Sequence, residues 1–218
     1  MLNVNRKQIN KLPDFINYPF AKYGFDVSRE TREKFNRYSE LLLKWQNTIN
    51  LVSDTTLEEL PARHFLDSAQ LIKYIPNLQI KMADLGSGAG FPGLVLAMMG
   101  VAGVHLIESD VRKATFLREV SRETATKIIV HDDRVEDTVI ENLDLITARA
   151  LAPLKDLLTM VDKLSTPDHT PVCLFMKGER ADEELEKAQK RWNFKFETFQ
   201  SVTDDAGKIF KINDLTKK

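Results

Sequence analysis

Short apolar segments alternate with amphipathic segments along the chain after residue 80. Five of the apolar segments have the length and composition of buried strands, and segments with helical spacing separate them. The predicted strands cover residues 80–85, 104–108, 128–131, 143–147 and 171–176, and the predicted helices cover residues 91–99, 111–125, 154–163 and 179–191. This alternation predicts a parallel sheet that is covered by helices on both faces.

The pattern changes after residue 191. Two strand-like segments, 195–202 and 208–213, follow each other directly, and the turn-forming residues Asp204-Asp-Ala-Gly207 separate them. Consecutive strands joined by a short turn predict an antiparallel hairpin. The expected fold is therefore α/β and Rossmann-like, with a mostly parallel seven-stranded sheet that ends in an antiparallel hairpin.

The N-terminal third of the chain has a helical pattern instead. The predicted helices cover residues 6–17, 28–50 and 57–74. Apolar side chains recur at helical spacing in the longest of them, and Ser28 is its candidate N-cap. We therefore expect residues 1–75 to form a helical extension packed on a Rossmann-like domain of residues 76–218.

Composition restricts the class of protein. The chain has 218 residues, 43% of them hydrophobic and 29% charged, which is typical of a soluble protein. No apolar run approaches the ~20 residues of a membrane span, and a single cysteine, Cys173, fits a cytoplasmic location. The four histidines lack metal-ligand spacing, so no metal is expected. The net charge of −1 means that any nucleic-acid site must be a local patch.

The most informative segment follows the first predicted strand and reads Met82-Ala-Asp-Leu-Gly-Ser-Gly-Ala-Gly-Phe-Pro-Gly93. Glycines at a strand-to-helix turn allow a sharp turn and a close approach of the backbone to a ligand, and the next helix offers free N–H groups. Glu108 ends the second predicted strand about 20 residues further on, where an acidic residue holds the hydroxyls of a ribose. The segment predicts a cofactor that contains a nucleoside.

Two classes of cofactor fit these residues. Gly88-x-Gly90-x-x-Gly93 matches the dinucleotide fingerprint of an NAD-dependent oxidoreductase. Asp84-x-Gly86-x-Gly88-x-Gly90 matches the S-adenosylmethionine motif of the class I methyltransferases. A carboxylate at Asp84 suits the amino and sulfonium charges of S-adenosylmethionine better than a pyrophosphate. The predicted C-terminal hairpin also favours the methyltransferase, and the oxidoreductase stays as the alternative.

Six short motifs are spread along the chain: Trp45-Gln-Asn-Thr-Ile-Asn50-Leu51, Arg63-His64-Phe65-Leu66-Asp67-Ser68, Asp84–Gly93, Arg134-Val135-Glu136, Arg149-Ala150 and Lys177-Gly178. In this combination the chain resembles the bacterial small-subunit ribosomal RNA guanine-N7 methyltransferases, the family called glucose-inhibited division protein B. The resemblance covers nearly the whole chain and is most evident over residues 30–178. It implies an enzyme that uses S-adenosylmethionine to methylate guanine N7 in 16S ribosomal RNA, with the RNA or the small ribosomal subunit as its partner.

The resemblance also implies a cofactor site. Gly86 and Phe91 would line the pocket, Glu108 would hold the ribose, and Val135 and Glu136 would flank the adenine. With the rest of the glycine motif and one arginine that the family assigns to the site, the candidate cofactor-binding residues are Asp84, Gly86, Gly88, Gly90, Phe91, Glu108, Val135, Glu136 and Arg149.

Three basic residues are the candidate catalytic residues. Arg149 lies just past the fourth predicted strand and Lys177 ends the fifth, and the carboxyl ends of parallel strands face the ligand crevice. Arg63, on the helix before the glycine turn, is expected to face a phosphate. The neighbouring His64 has either a functional or a structural role. Asp67 lies on the same helix face and is placed to orient the imidazole.

Missing motifs favour guanine N7 as the target atom. Methylation of a pyrimidine ring carbon needs a cysteine nucleophile, but Cys173 lies mid-strand and is expected to be buried. Methyltransferases for exocyclic amines carry an Asn/Asp-Pro-Pro-aromatic turn where this chain has Thr147-Ala-Arg-Ala150. Guanine N7 already has a lone pair and needs no general base. A non-catalytic RNA-binding assembly factor with a methyltransferase shell is a second alternative.

Overall fold

A seven-stranded sheet forms the centre of the computed structural model, which describes residues 12–166 and 169–218. Its strands are β1 (Met82–Leu85), β2 (Val104–Ile107), β3 (Ile129–His131), β4 (Leu145–Arg149), β5 (Val172–Lys177), β6 (Trp192–Gln200) and β7 (Lys208–Lys217). Their order is β3-β2-β1-β4-β5-β7-β6. Strands β1 to β5 pair in parallel, whereas β7 runs antiparallel to both β5 and β6. The predicted fold is confirmed, and strand ends differ from the predictions by four residues at most.

Helices cover both faces of this sheet. They are α1 (Arg29–Gln46), α2 (Asp67–Ala69), α3 (Gly93–Met98), α4 (Val111–Glu123), α5 (Leu154–Leu164) and α6 (Ala181–Gln189). All four residues of β1 are buried. Met82 belongs to the apolar core on one face, and Ala83 and Leu85 belong to the core on the other. A parallel strand that is covered on both faces reads as a continuous apolar run, which is why the sequence pattern identified these strands.

Helix α1 begins at the predicted N-cap and ends earlier than predicted. The hydroxyl of Ser28 accepts a hydrogen bond from the backbone N–H of Thr31 at 3.2 Å. At the other end, Oε1 of Gln46 accepts hydrogen bonds from the backbone N–H groups of Leu51 and Val52 at 2.9 and 3.1 Å. The Gln46 side chain thereby stabilises a turn where the sequence pattern predicted a continued helix.

The N-terminal helices and the sheet share one apolar core. The ring of Tyr38, on α1, stacks on Phe91 of the glycine turn with centroids 5.2 Å apart. The ring of Phe65 contacts both of these rings edge-on, at 5.1 and 5.2 Å. This packing supports the proposal that the N-terminal region, in its described part, is an extension of the domain formed by residues 76–218.

The helix predicted over residues 6–17 is wrong for its described part. Residues 12–17 are not helical, and the remainder of the prediction lies outside the described residues. The Asp14 carboxylate accepts hydrogen bonds from the backbone N–H of Ile16 at 3.0 Å and from the Asn17 side chain at 2.7 Å. These local bonds compete with the helical pattern and favour a turn.

The helix predicted over residues 57–74 begins at Pro61, and we call residues 61–74 the cover helix. It has a π-helical stretch, Pro61–Leu66, then α2, and then a 3-10 stretch, Gln70–Tyr74. The backbone N–H of Asp67 reaches the carbonyl of Ala62, which is the spacing of a π-turn. Such turns are frequent at functional sites.

Candidate active site

The glycine turn leaves β1 at its carboxyl end and packs closely against its neighbours. Gly86 has a φ of +60° and Gly90 a φ of +100°, which favour glycine. A side chain at Gly90 would bring its Cβ within 2.6 Å of the Tyr38 hydroxyl, and one at Gly86 would collide with the Leu151 side chain. Both close approaches require the absence of a side chain.

Asp84 holds this turn from inside the protein. Its Oδ2 accepts a hydrogen bond from the backbone N–H of Gly93 at 3.1 Å, and its Oδ1 accepts one from the Thr147 hydroxyl at 2.7 Å. Asp84 is completely buried, and burial raises the pKa of its carboxyl group to about 6. The sequence predicts that this carboxylate faces the charges of the cofactor. Both of its oxygens are instead bonded within the protein.

Glu108 connects the glycine turn with the loop after β2. Its Oε2 accepts a hydrogen bond from the backbone N–H of Gly88, and its Oε1 accepts one from the backbone N–H of Asp110, both at 2.8 Å. Only 8% of the residue is exposed. Because each carboxylate oxygen has two lone pairs, each can accept one further hydrogen bond from a ligand.

The predicted adenine-flanking residues lie on a short 3-10 turn, Val135–Asp137, which follows β3. Val135 is buried in the apolar core, and Glu136 is exposed. Because β3, β2 and β1 are adjacent parallel strands, this turn lies at the same edge of the sheet as Glu108 and the glycine turn.

Arg149 joins the sheet to the cover helix. The sequence pattern predicted that Arg149 lies just past the fourth strand, but it is the last residue of β4. Its Nη1 donates hydrogen bonds to the Arg63 carbonyl at 3.0 Å and to Oδ2 of Asp67 at 3.1 Å, and its Nη2 donates to Nδ1 of His64 at 2.9 Å. The guanidinium also lies 5.1 Å from the ring centroid of Phe91. Phe91 is only 4% exposed, so it packs under Arg149.

His64 is a neutral link in this cluster. Its Nδ1 accepts from Arg149, so Nε2 carries the proton and donates to the Thr56 hydroxyl at 2.8 Å. Burial and the positive charges of Arg149 and Arg63 lower the pKa of His64 to about 3. The sequence predicted that Asp67 orients the imidazole. Among the described residues, Arg149 and Thr56 bind it instead.

Asp67 extends the same cluster to the C-terminal hairpin. Its Oδ1 accepts hydrogen bonds from the Thr203 hydroxyl at 2.6 Å, from the Gln70 side chain at 2.9 Å and from the Ser201 hydroxyl at 3.4 Å. Gln70, in turn, accepts from the backbone N–H of Val202 at 2.9 Å. The cover helix is therefore bonded to both β4 and the loop between β6 and β7.

The two other predicted catalytic residues differ in their exposure. Lys177, whose side chain is 7% exposed, donates to the Ala152 carbonyl and forms an ion pair with Glu184, both at 2.7 Å. Arg63 forms an ion pair with Asp204 at 3.2 Å, and each of these side chains is 38% exposed. Lys177 therefore braces the loop after β4, whereas Arg63 lies at an accessible rim.

These basic residues line one cleft with a volume of about 540 Å³. Five basic side chains line it (Arg63, Arg149, Lys177, Arg180 and Lys208), together with the acidic side chains of Asp67, Glu184 and Asp204. The structure thus brings together Arg63, Arg149 and Lys177. The glycine turn, Glu108 and residues 135–136 do not line this cleft and lie toward β1, β2 and β3.

Comparison with known proteins identifies the family. A family model described as "GidB: rRNA small subunit methyltransferase G" matches residues 31–210. A protein of Rhodospirillum centenum named "Ribosomal RNA small subunit methyltransferase G" is 46% identical over 195 residues, which is 89% of each chain. A protein of Orientia tsutsugamushi with the same name is 44% identical over 89% of this chain and 96% of its own. The chain belongs to this family.

Solved structures agree with the fold. The ribosomal protein L11 methylase of Lactobacillus delbrueckii superposes with a TM-score of 0.55 over 72% of this chain and 79% of its own, at 17% identity. The magnesium protoporphyrin IX methyltransferase of Synechocystis gives a TM-score of 0.56 over 84% of this chain and 97% of its own, at 10% identity. At these identities the likeness indicates the fold alone, which is that of the class I S-adenosylmethionine-dependent methyltransferases.

Membership in the family removes the support for an NAD-dependent oxidoreductase, and none of these relatives supports a non-catalytic assembly factor. Within the described residues, no three histidine, cysteine, aspartate or glutamate side chains are grouped to hold a metal ion. That part of the chain also has no helix with the length and apolarity of a membrane span.

The site of this family member contains further residues that the sequence did not indicate, and the available signal differs among four of them. Thr147 carries a detectable signal, because it is polar in an apolar strand and pairs in register with Asp84. Leu151 directly follows the Arg149-Ala150 motif and lies against the glycine turn. Glu184 and Thr203 belong to segments without a motif, and no local pattern indicates their partners.

The neutral state of His64 generates a prediction. NMR signals of the His64 ring should stay constant from about pH 8 to about pH 5, because its pKa is lowered to about 3. The unfolded chain takes up this proton near the ordinary pKa of about 6.5. The contribution of His64 to the free energy of unfolding should therefore decrease as the pH falls from about 6.5 toward about 3. The His64→Gln variant assigns the signal, and a titration midpoint near the ordinary value would contradict the geometry.

Proposed function

We propose that this chain transfers a methyl group from S-adenosylmethionine to N7 of a guanine in 16S ribosomal RNA, by direct in-line displacement. The observation that carries the proposal is the state of the acids and bases in the cleft. Every carboxylate that lines it is paired: Asp67 with Arg149, Glu184 with Lys177, and Asp204 with Arg63. The imidazole of His64 is neutral and bonded at both nitrogens.

A cleft whose carboxylates and histidine are all engaged suits an acceptor that loses no proton. Guanine N7 is such an acceptor, because its lone pair is available at neutral pH. An exocyclic amine or a ribose hydroxyl would require a base to remove a proton. The buried Cys173, whose thiol pKa is raised by burial, also speaks against a covalent mechanism on a pyrimidine ring.

The residues beside the glycine turn fit the cofactor. Glu108 keeps one free lone pair on each carboxylate oxygen and would hold the two ribose hydroxyls, while Gly86, Gly88 and Gly90 leave the backbone accessible. Val135 and Glu136 would flank the adenine. When bound, S-adenosylmethionine supplies an electrophilic methyl group, which N7 accepts with its own lone pair while the sulfur keeps the electrons of the broken bond.

The basic residues of the cleft have separate parts in this proposal. Arg63 at the rim would exchange Asp204 for an RNA phosphate, and a bidentate contact suits its guanidinium. Arg149 would shape the acceptor side beside the transferred methyl. Its charge is balanced by Asp67, so the positive charge that guanine acquires meets little repulsion. Lys177 would hold the loop after β4 in position.

The partner in this proposal is 16S ribosomal RNA, free or within the small ribosomal subunit, and the location is the cytoplasm. The relatives' printed name supports a small-subunit RNA substrate. The surplus of basic over acidic side chains in the cleft supports contact with a phosphate backbone, although the whole chain has a net charge of −1.

Incubation with S-adenosylmethionine labelled on the methyl group, and with small subunits that lack the modification, tests the function. We expect label in the RNA and one strand break after borohydride and aniline treatment, which cleaves at N7-methylguanine. Label without cleavage would overturn the assignment of the atom. Unlabelled RNA, in the presence of demonstrated cofactor binding, would overturn the enzymatic function.

Replacement of Glu108 tests the cofactor site. Glu108→Ala removes the carboxylate that would accept hydrogen bonds from the two ribose hydroxyls. It should weaken S-adenosylmethionine binding by about tenfold or more, as measured by calorimetry. Glu141→Ala is the matched control, since it removes an exposed carboxylate from the loop before β4. A dissociation constant within about twofold of the control would exclude Glu108 from the site, provided that both variants melt like the wild type.

A further inference from the structure

The loop after β4 separates the glycine turn from the acceptor cleft. Ala150 has a φ of +54°, a conformation that residues with a side chain rarely adopt. Leu151 follows it, lines the cleft, and packs so closely on Gly86 that a side chain there would collide with it. One residue therefore contacts the cofactor motif and the cleft at the same time.

Neighbouring residues hold this loop on both sides. Before it, Arg149 is fixed to the cover helix by three hydrogen bonds. After it, Lys177 donates to the Ala152 carbonyl at 2.7 Å, and the backbone N–H of Leu154 donates to Oε2 of Glu184 at 2.9 Å. These contacts restrain the left-handed backbone of Ala150, which sets the direction of the Leu151 side chain.

Leu151 does not belong to the apolar core, so packing in the core does not explain its position. It is 38% exposed, and of the large apolar side chains that are exposed in the described part of the chain, it is the one that lines the cleft. The other large apolar residues of the lining, Met176 and Ile209, are 7% and 0% exposed. When a flat apolar face covers an aliphatic side chain at a polar cleft, apolar surface is removed from water and the free energy is lowered.

We propose that Leu151 is a positioning residue on which the face of the acceptor base lies. This inference rests on the proposed function, because it assigns the acceptor to the same cleft. The base would be confined between Leu151 and the polar wall formed by Arg149 and Asp67. Such contact fixes the plane of the guanine and therefore the direction of its N7 lone pair. Misplacement of a reacting atom by about 1 Å can lower the rate by about a hundredfold.

Two substitutions and one control test this role. Leu151→Ala removes the surface, whereas Leu151→Met keeps a side chain of similar volume. Ile16→Ala is the control, because Ile16 is an aliphatic residue with 37% exposure that does not line the cleft. For each variant, kcat and KM for small-subunit RNA, the dissociation constant of S-adenosylmethionine and the melting temperature are measured.

We expect Leu151→Ala to lower kcat by about tenfold or more, with the cofactor dissociation constant within about twofold of wild type. Leu151→Met should keep kcat within about threefold, and Ile16→Ala should match the wild type. Loss of cofactor binding in parallel with kcat would overturn the inference, because Leu151 would then belong to the cofactor site. An unchanged kcat would overturn it as well.

The wild-type protein separates this inference from the proposed function. If the wild type methylates N7 and Leu151→Ala does so equally well, only the positioning role fails. If the wild type binds S-adenosylmethionine but transfers no methyl group to RNA, the proposed function fails and this inference fails with it. If Leu151→Ala melts at a lower temperature and recovers the wild-type kcat when it is assayed well below that temperature, the residue acts in folding and the positioning role fails.

Discussion

The ion pair between Arg149 and Asp67 is the contact on which the cleft beside β4 depends. The two side chains are only 18% and 15% exposed, and two charges at such a position are costly unless their remaining hydrogen-bonding groups are satisfied. Here Arg149 also binds the Arg63 carbonyl and His64, and Asp67 also binds Gln70, Ser201 and Thr203. The pair thereby connects three segments that are distant in sequence: the cover helix, β4 and the loop after β6.

One edge of the sheet carries two surfaces of different chemistry, one on each side of β4. Toward β1 and β2, the glycine turn and Glu108 form a surface of backbone groups and one carboxylate, which suits a nucleoside. Toward β5 and β7, the cleft has paired charges and a neutral imidazole, which suit an acceptor that keeps all its protons. β4 and the loop after it lie between these two surfaces, and Leu151 contacts both.

Local sequence patterns predicted the parts of this molecule that depend on local periodicity. The buried strands, the glycine turn and the C-terminal hairpin follow from apolar runs and turn residues, so their positions were predicted within a few residues. Polar contacts between distant segments have no such signal. The sequence predicted that Asp84 lies in the first strand, but its bond to Thr147 depends on the pairing of β1 with β4.

The same limit applies to Lys177 and to the N-terminal segment. The position of Lys177 was predicted because it ends a strand. Its partner Glu184 lies on a helix whose packing the sequence pattern does not specify. The non-helical course of residues 12–17 reflects the Asp14 side chain, which binds nearby backbone and overrides a weak helical pattern. The roles of Glu108, Val135 and Glu136 remain predictions that follow from the family resemblance.

A double-mutant cycle on Asp67→Asn and Arg149→Gln is the most direct test of the claim that this pair holds the cleft together. The free energy of unfolding and the rate of methyl transfer are measured for both single variants and the double variant, with Arg63→Gln and Asp204→Asn as an exposed reference pair. We expect a coupling free energy of about 2 kcal/mol for the buried pair and below about 1 kcal/mol for the exposed one. Either single variant of the buried pair should slow methyl transfer as much as the double variant. Additive effects within about 0.5 kcal/mol on unfolding, with independent effects on the rate, would contradict the account.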